Sequence, residues 1–178
     1  MKKVLKDILG VVLYIGIIIV MTFFFVHFIA QRTDVSGDSM NYTLTDGDSL
    51  IVDKLSYRFS SPKRFDIVIF PYRYDPDECF IKRIIGLPGE TVQIDDDGNI
   101  FINGEKLEEH YGAEIINDPG RASEPVVLSD DEYFVMGDNR NHSMDSREPS
   151  VGNIKRSELI GKAWFRLFPF SAFGPIKK

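Results

Sequence analysis

TVQIDDDGNIFING, residues 91–104, decides the fold class. Apolar and polar side chains alternate through 91–95 and again through 99–103, the period-2 pattern of strands buried on one face. Asp97-Gly98 between them supplies the turn chemistry that a tight reversal needs. The segment is expected to form a β-hairpin turning at Asp95 to Asn99. Similar short runs surround it: SLIVDKL at 49–55, DIVIF at 66–70, CFIKRII at 79–85 and EYFVMG at 132–137. Asp46-Gly47, Pro88-Gly89 and Asn103-Gly104 punctuate them, and nothing after residue 30 keeps a helical period. The implied class is mostly β, a single coiled antiparallel sheet or small barrel-like domain. Residues 110–131 have no clear period and read as an irregular loop. KAWFRLFPFSAFG at 162–174 concentrates one Trp and four Phe. Trp164 is expected to close the core, while the later aromatics fit either the core or a membrane interface.

Upstream, ILGVVLYIGIIIVMTFFFVHFIA at 8–30 carries no formal charge. As a helix it would extend roughly 34 Å, enough for a hydrocarbon core of about 30 Å. Lys2, Lys3 and Lys6 precede it, so the positive-inside rule places the N-terminus in the cytoplasm. A cleaved leader would have a shorter apolar core and small residues before the cut, whereas a cut after Ala30 would put Phe28 at −3. The expected organisation is a cytoplasmic N-terminus at 1–7, a single-pass plasma-membrane anchor at 8–30 and an extracytoplasmic β domain at 31–178. His27 is expected near the headgroups, without a functional role.

The chain has 178 residues, 21 basic and 27 acidic, for a net charge of −6, which argues against nucleic acid as a partner. One cysteine, Cys79, excludes an internal disulfide, and its expected place is in the core as a small hydrophobe. Three scattered histidines suggest no metal site, and neither a metal nor a cofactor is expected.

Three kinds of residue could carry chemistry. A serine nucleophile needs a base, and His142 in GDNRNHSMDSR is the histidine in a polar loop cluster. No local spacing singles out a triad with Ser39, however. Lys82 is the second candidate: it alternates with Phe80 and Ile84 on one strand face, while Arg83 shares the other with Ile81 and Ile85. Burial would lower its pKa towards the neutral form that a base requires. The pattern is equally that of a lysine snorkelling at a sheet edge. The carboxylates at 95–97 and 130–131 fall in turns and read as solvated. Asp138, Arg140, Asp145 and Arg147 read as buried Asp–Arg pairs that hold a loop rigid.

Together, in this order, these segments resemble the bacterial type I signal peptidases, in the small form typical of Gram-positive organisms. SGDSMNYTL (36–44) is similar to the family's serine box, GDSLIVDKLSY (47–57) to the next, and FIKRIIGLPGE (80–90) to the lysine box. MGDNRNHSMDSR (136–147) matches the last box almost throughout. The resemblance implies a membrane-bound serine endopeptidase with Ser39 as nucleophile and Lys82 as general base, acting through an acyl-enzyme. It implies that Ser143 hydrogen-bonds and orients Lys82, and that Asp145 and Arg147, with Asp138 and Arg140 alongside, secure the loop. Val35, Met40, Leu44, Phe80 and Ile81, with Ser36 beside them, match the pocket positions that read small residues at −3 and −1. The implied partners are signal peptides of secretory preproteins, membrane lipid and a neighbouring secretion translocon. Three departures stand out. Tyr42 replaces a proline, Phe65 stands where glycine often precedes DIV, and DSREPSVG is two residues longer than the commonest form. A non-catalytic peptide-binding relative would lack the serine or lysine, and a self-cleaving Ser–Lys repressor would carry a DNA-binding domain instead of an anchor.

Overall fold

A computed structural model describes residues 2–28, 30–112 and 114–176. Helix α1 (Lys2–Phe28) opens the chain. Its window Lys6–Phe23 has a mean hydropathy of 2.1 with none of it buried, so it is long and apolar enough to cross a membrane. The side chain of His27 lies outside the described residues, as does Ile29 within the expected anchor.

The remainder is mostly β, as expected. Its strands are β1 (Ala30–Asp34), β2 (Ser49–Asp53), β3 (Ile67–Tyr72), β4 (Asp75–Gly86), β5 (Thr91–Ile94) and β6 (Ile100–Ile102). They continue as β7 (Glu105–Lys106), β8 (Val126–Val127), β9 (Glu132–Met136), β10 (Ile154–Lys155), β11 (Gly161–Phe168) and β12 (Gly174–Pro175). One sheet runs β1-β2-β11-β3-β4-β9-β10 with β12 against β11, and a second runs β7-β6-β5-β8. All the pairings are antiparallel. The large sheet stays open, with β1 and β10 as its two edges, so the barrel does not close. The 91–104 hairpin forms as read, with Gly98 at a φ of 77° and the Asp95 N–H donating to the Asn99 carbonyl at 3.0 Å.

Alternation along the strands sorts the core. In β3, Ile67 and Ile69 join Val35, Met40, Leu44, Leu50, Val52 and Ile81 on one face. Val68 and Phe70 face the other way, to Phe80, Ile84, Tyr133 and Val135. The second sheet packs its Val92, Ile94, Ile100 and Ile102 against Ile85, Phe134 and Met136.

Two side chains are not where the sequence suggested. Trp164 is 47% exposed rather than in the core. The β11 register slips between Ala163 and Phe165, so Ala163 takes the inward position and the indole points out. Cys79 is exposed, not buried: it pairs with Pro71 of β3 in the part of β4 that precedes the β9 pairing, which begins at Arg83. Phe168, Phe170 and Phe173 are exposed as well.

Candidate active site

Three segments meet at one end of the large sheet. β4 carries Lys82, the turn after β1 carries Ser39, and the loop after β9 lies behind both. The serine turn is tightly braced. The Val35 N–H donates to the Asp48 carbonyl (2.8 Å), the Leu44 N–H to the Met40 carbonyl (2.8 Å), and the Gly37 N–H to Asp46 Oδ1 (2.8 Å). Gly37 has a φ of 87° and Tyr42 a φ of 83°. A proline ring at 42 would hold φ near −65°, so the loop has a conformation here that proline could not adopt. Phe65 also sits at positive φ, 70°. Its carbonyl accepts a bond from Arg83 Nη1 (2.9 Å) and its ring packs on Tyr111, contacts that hold this backbone in place.

Lys82 Nζ lies 2.8 Å from Ser39 Oγ and 3.1 Å from the Ile81 carbonyl oxygen. The residue is only 4% exposed, and the Phe80 ring covers Nζ with its centroid at 4.9 Å. Burial drives its pKa down from 10.5 to about 8, against a partial pull upward from the Asp145 and Glu78 carboxylates. The amine is buried rather than extended to solvent at a sheet edge.

A cleft of about 470 Å³ opens over this pair, lined by Val35, Ser36, Met40, Phe80 and Ile81 among others. Leu44 is fully buried and does not line it; it packs behind Met40 in the core. Cys79, Glu78 and His142 lie on its walls. The Ser39 N–H has no protein acceptor among the described residues.

The loop after β9 is anchored by charge, with pairings only partly anticipated. Arg147 forks onto Asp145, with Nε at 2.9 Å and Nη2 at 2.9 Å, and Asp145 also accepts the Gly137 N–H at 3.0 Å. Asp138, however, pairs with Arg83 through two bonds of 2.8 and 2.7 Å, and accepts Thr43 Oγ1 at 2.5 Å. Arg140 pairs with Glu109 at 2.8 Å. An arginine alternating with isoleucines was the available signal, because a guanidinium on an apolar face requires a buried carboxylate. Ser143 does not hydrogen-bond Lys82. Its Oγ is buried without a partner among the described residues, packed on Gly137 beside the Ser39 carbonyl. Asn139, which the sequence did not mark, donates its N–H to the Ser39 carbonyl (3.1 Å) and its Nδ2 to the Asp38 carbonyl (3.1 Å).

The family model for signal peptidase, peptidase S26, matches residues 8–168. A signal peptidase I of Leptolyngbya laminosa is 39% identical over 91% of this chain and 80% of its own length. One from Bacillus licheniformis is 42% identical over 77% of this chain and 76% of its own. A crystal structure of a signal peptidase I from Enterococcus faecalis is 34% identical and covers 58% of this chain and 97% of that one, with a TM-score of 0.47. The chain therefore belongs to the signal peptidase I family, peptidase S26, and is a protease of that family.

Proposed function

We propose that this peptidase removes signal peptides with a Ser39–Lys82 dyad, cutting after small residues at −3 and −1. The observation that carries the reading is a buried lysine amine 2.8 Å from a serine hydroxyl at the floor of a cleft. Neutral Lys82 takes the proton as Ser39 Oγ attacks the scissile carbonyl, forming a tetrahedral oxyanion. The Ser39 N–H donates to that oxyanion. Lys82 then passes its proton to the leaving amine, and an ester joins the leader's C-terminus to Ser39. Water, deprotonated by Lys82, hydrolyses the ester and restores both groups. Asp145, Arg147, Asp138 and Arg140 hold the loop that backs the pair. Ser143, whose Oγ has no partner among the described residues, is in this reading the group that orients Lys82 when substrate is bound.

The leader is read as an extended strand along the free edge of β4 at 78–82, where β9 no longer pairs. Val35, Met40, Phe80 and Ile81, with Ser36 at the rim, shape pockets that admit alanine and little more. Helix α1 anchors the enzyme, with Lys2, Lys3 and Lys6 on the cytoplasmic side and the β domain outside, beside the secretion translocon. Ala30, Leu55, Phe59 and Trp164 line one groove at the foot of that anchor, and Phe59 is 84% exposed. Such a surface meets lipid at interface depth. Tethering enzyme and membrane-embedded leader at one depth raises their effective concentration.

The test is cleavage of a membrane-targeted precursor by the full chain in liposomes, using wild type, Ser39→Ala and Lys82→Ala. Both variants are expected to be inactive and folded, and a leader with a bulky −1 residue to stay uncut. Cleavage surviving in Lys82→Ala would overturn the dyad.

A further inference from the structure

We infer that Asn139 is a positioning residue for the oxyanion, acting through the peptide unit that joins Asp38 to Ser39. The inference rests on the dyad reading above and adds a residue that the reading does not use. Asn139 Nδ2 donates to the Asp38 carbonyl oxygen at 3.1 Å. That carbonyl and the Ser39 N–H belong to one planar trans peptide, and in such a unit C=O and N–H point in opposite directions. Fixing the oxygen on the Asn139 side therefore aims the N–H at the other side. Gly37, Asp38, Ser39 and Met40 line the cleft and Asn139 does not, so the N–H faces the cleft, where an oxyanion would form.

The bond also polarises the donor. A hydrogen bond accepted at a carbonyl draws electron density from its amide and strengthens the N–H at the other end, a cooperative effect that is larger in a poorly solvated site. Asn139 is 9% exposed. Its backbone N–H binds the Ser39 carbonyl at 3.1 Å, so the residue grips the peptide on each side of the nucleophile. Gly37 offers no side-chain hydroxyl, and its N–H is occupied by Asp46. The Ser39 N–H consequently carries more of the oxyanion's stabilisation than it would with a second donor beside it.

Side-chain substitution isolates this contribution, because the backbone bond from Asn139 and the Asp145–Arg147 pair remain. The experiment compares wild type, Asn139→Ala, Asn139→Asp, Ser39→Ala and Lys82→Ala, each as the full chain in detergent. Three quantities are read: steady-state cleavage of a leader peptide, inhibition by the matching peptide aldehyde, and binding of the uncut leader peptide in a Ser39→Ala background. The aldehyde adds Ser39 Oγ to form a hemiacetal whose oxygen occupies the oxyanion position. Losing a direct oxyanion donor costs about 10²–10³ in kcat. A group one bond removed should cost about 10–100-fold in kcat in Asn139→Ala, with KM within threefold of wild type. Aldehyde affinity should fall by the same factor, and uncut-peptide affinity should not change. Asn139→Asp, which replaces the donor with a carboxylate facing a carbonyl, should fall further. A kcat within threefold of wild type, or equal losses of aldehyde and uncut-peptide affinity, would overturn the inference. Cleavage by Ser39→Ala or Lys82→Ala would instead overturn the dyad reading beneath it.

Discussion

Replacing Lys82 by methionine tests whether the buried amine is the source of a measurable cost in stability. Lys82 is 4% exposed and titrates at about 8 rather than 10.5, because burial disfavours the ammonium more than Asp145 and Glu78 favour it. In the unfolded chain the amine keeps its proton until about pH 10.4. Between those values the unfolded state binds one more proton than the folded state, so stability rises with pH across the window. Below pH 8 both states are protonated and the folded protein bears the whole penalty, about 3 kcal/mol. Above roughly pH 10.5 both are neutral and the penalty is gone. Methionine fills a similar volume without a charge. Lys82→Met should therefore lose cleavage yet be more stable than wild type at pH 7, by about 2–3 kcal/mol after the lost hydrogen bonds are allowed for. That difference should shrink to within about 1 kcal/mol by pH 10. The assay is urea unfolding of the detergent-solubilised full chain at pH 7, 8, 9 and 10, followed by circular dichroism of the β domain. Subtracting the two proteins cancels every other titrating group. A gap that stays constant or widens as pH rises would refute the reasoning, since it would mean that Lys82 keeps an ordinary ammonium pKa.

As the proposed base, the same amine should set the activity profile. kcat should rise about tenfold per pH unit below pH 8 and level off above it, and Glu78→Gln should move that limb downward by removing a carboxylate that favours the ammonium. A limb displaced upward in a kcat-versus-pH series would contradict this assignment. Gly137→Ala would place a Cβ on the Ser39 carbonyl oxygen and on Ser143 Oγ. Because a displacement of ~1 Å can cost about 10²-fold, leader cleavage should fall by that order while circular dichroism remains native. Arg83→Met would leave Asp138 buried and unpaired, which should destabilise the domain by about 3–5 kcal/mol in urea unfolding. Arg83→Met with Asp138→Asn should recover part of that loss.

Much of the architecture is written locally. Period-2 alternation and the Gly-containing turns specify β2, β3, β4, β5, β6 and β9 from their own residues, because a strand with one slip in register would turn its apolar face to water. The uncharged 8–30 run specifies a helix long enough for a bilayer for the same reason, the cost of exposing its backbone or a charge there. The ordered boxes around Ser39 and Lys82 identify the family, and alternation alone placed Lys82 on the face of Phe80 and Ile84.

Partnerships across the chain were decided elsewhere. Lys82 reaches Ser39 over 43 residues, Arg83 reaches Asp138 over 55, and Asn139 reaches the Asp38 carbonyl over 101. No local pattern selects among several arginines and carboxylates of equal charge; Asp138 went to Arg83 once the topology had brought β4 beside β9, and Arg140 went to Glu109. The outward turn of Trp164 depended on a bulge in β11, and the exposure of Cys79 on its place in β4 ahead of the β9 pairing. The lysine's lowered pKa is likewise a tertiary property. Sequence supplies the amine and its apolar neighbours in the strand. Only the packing of the serine turn and the β9 loop over it removes the water that would keep it charged.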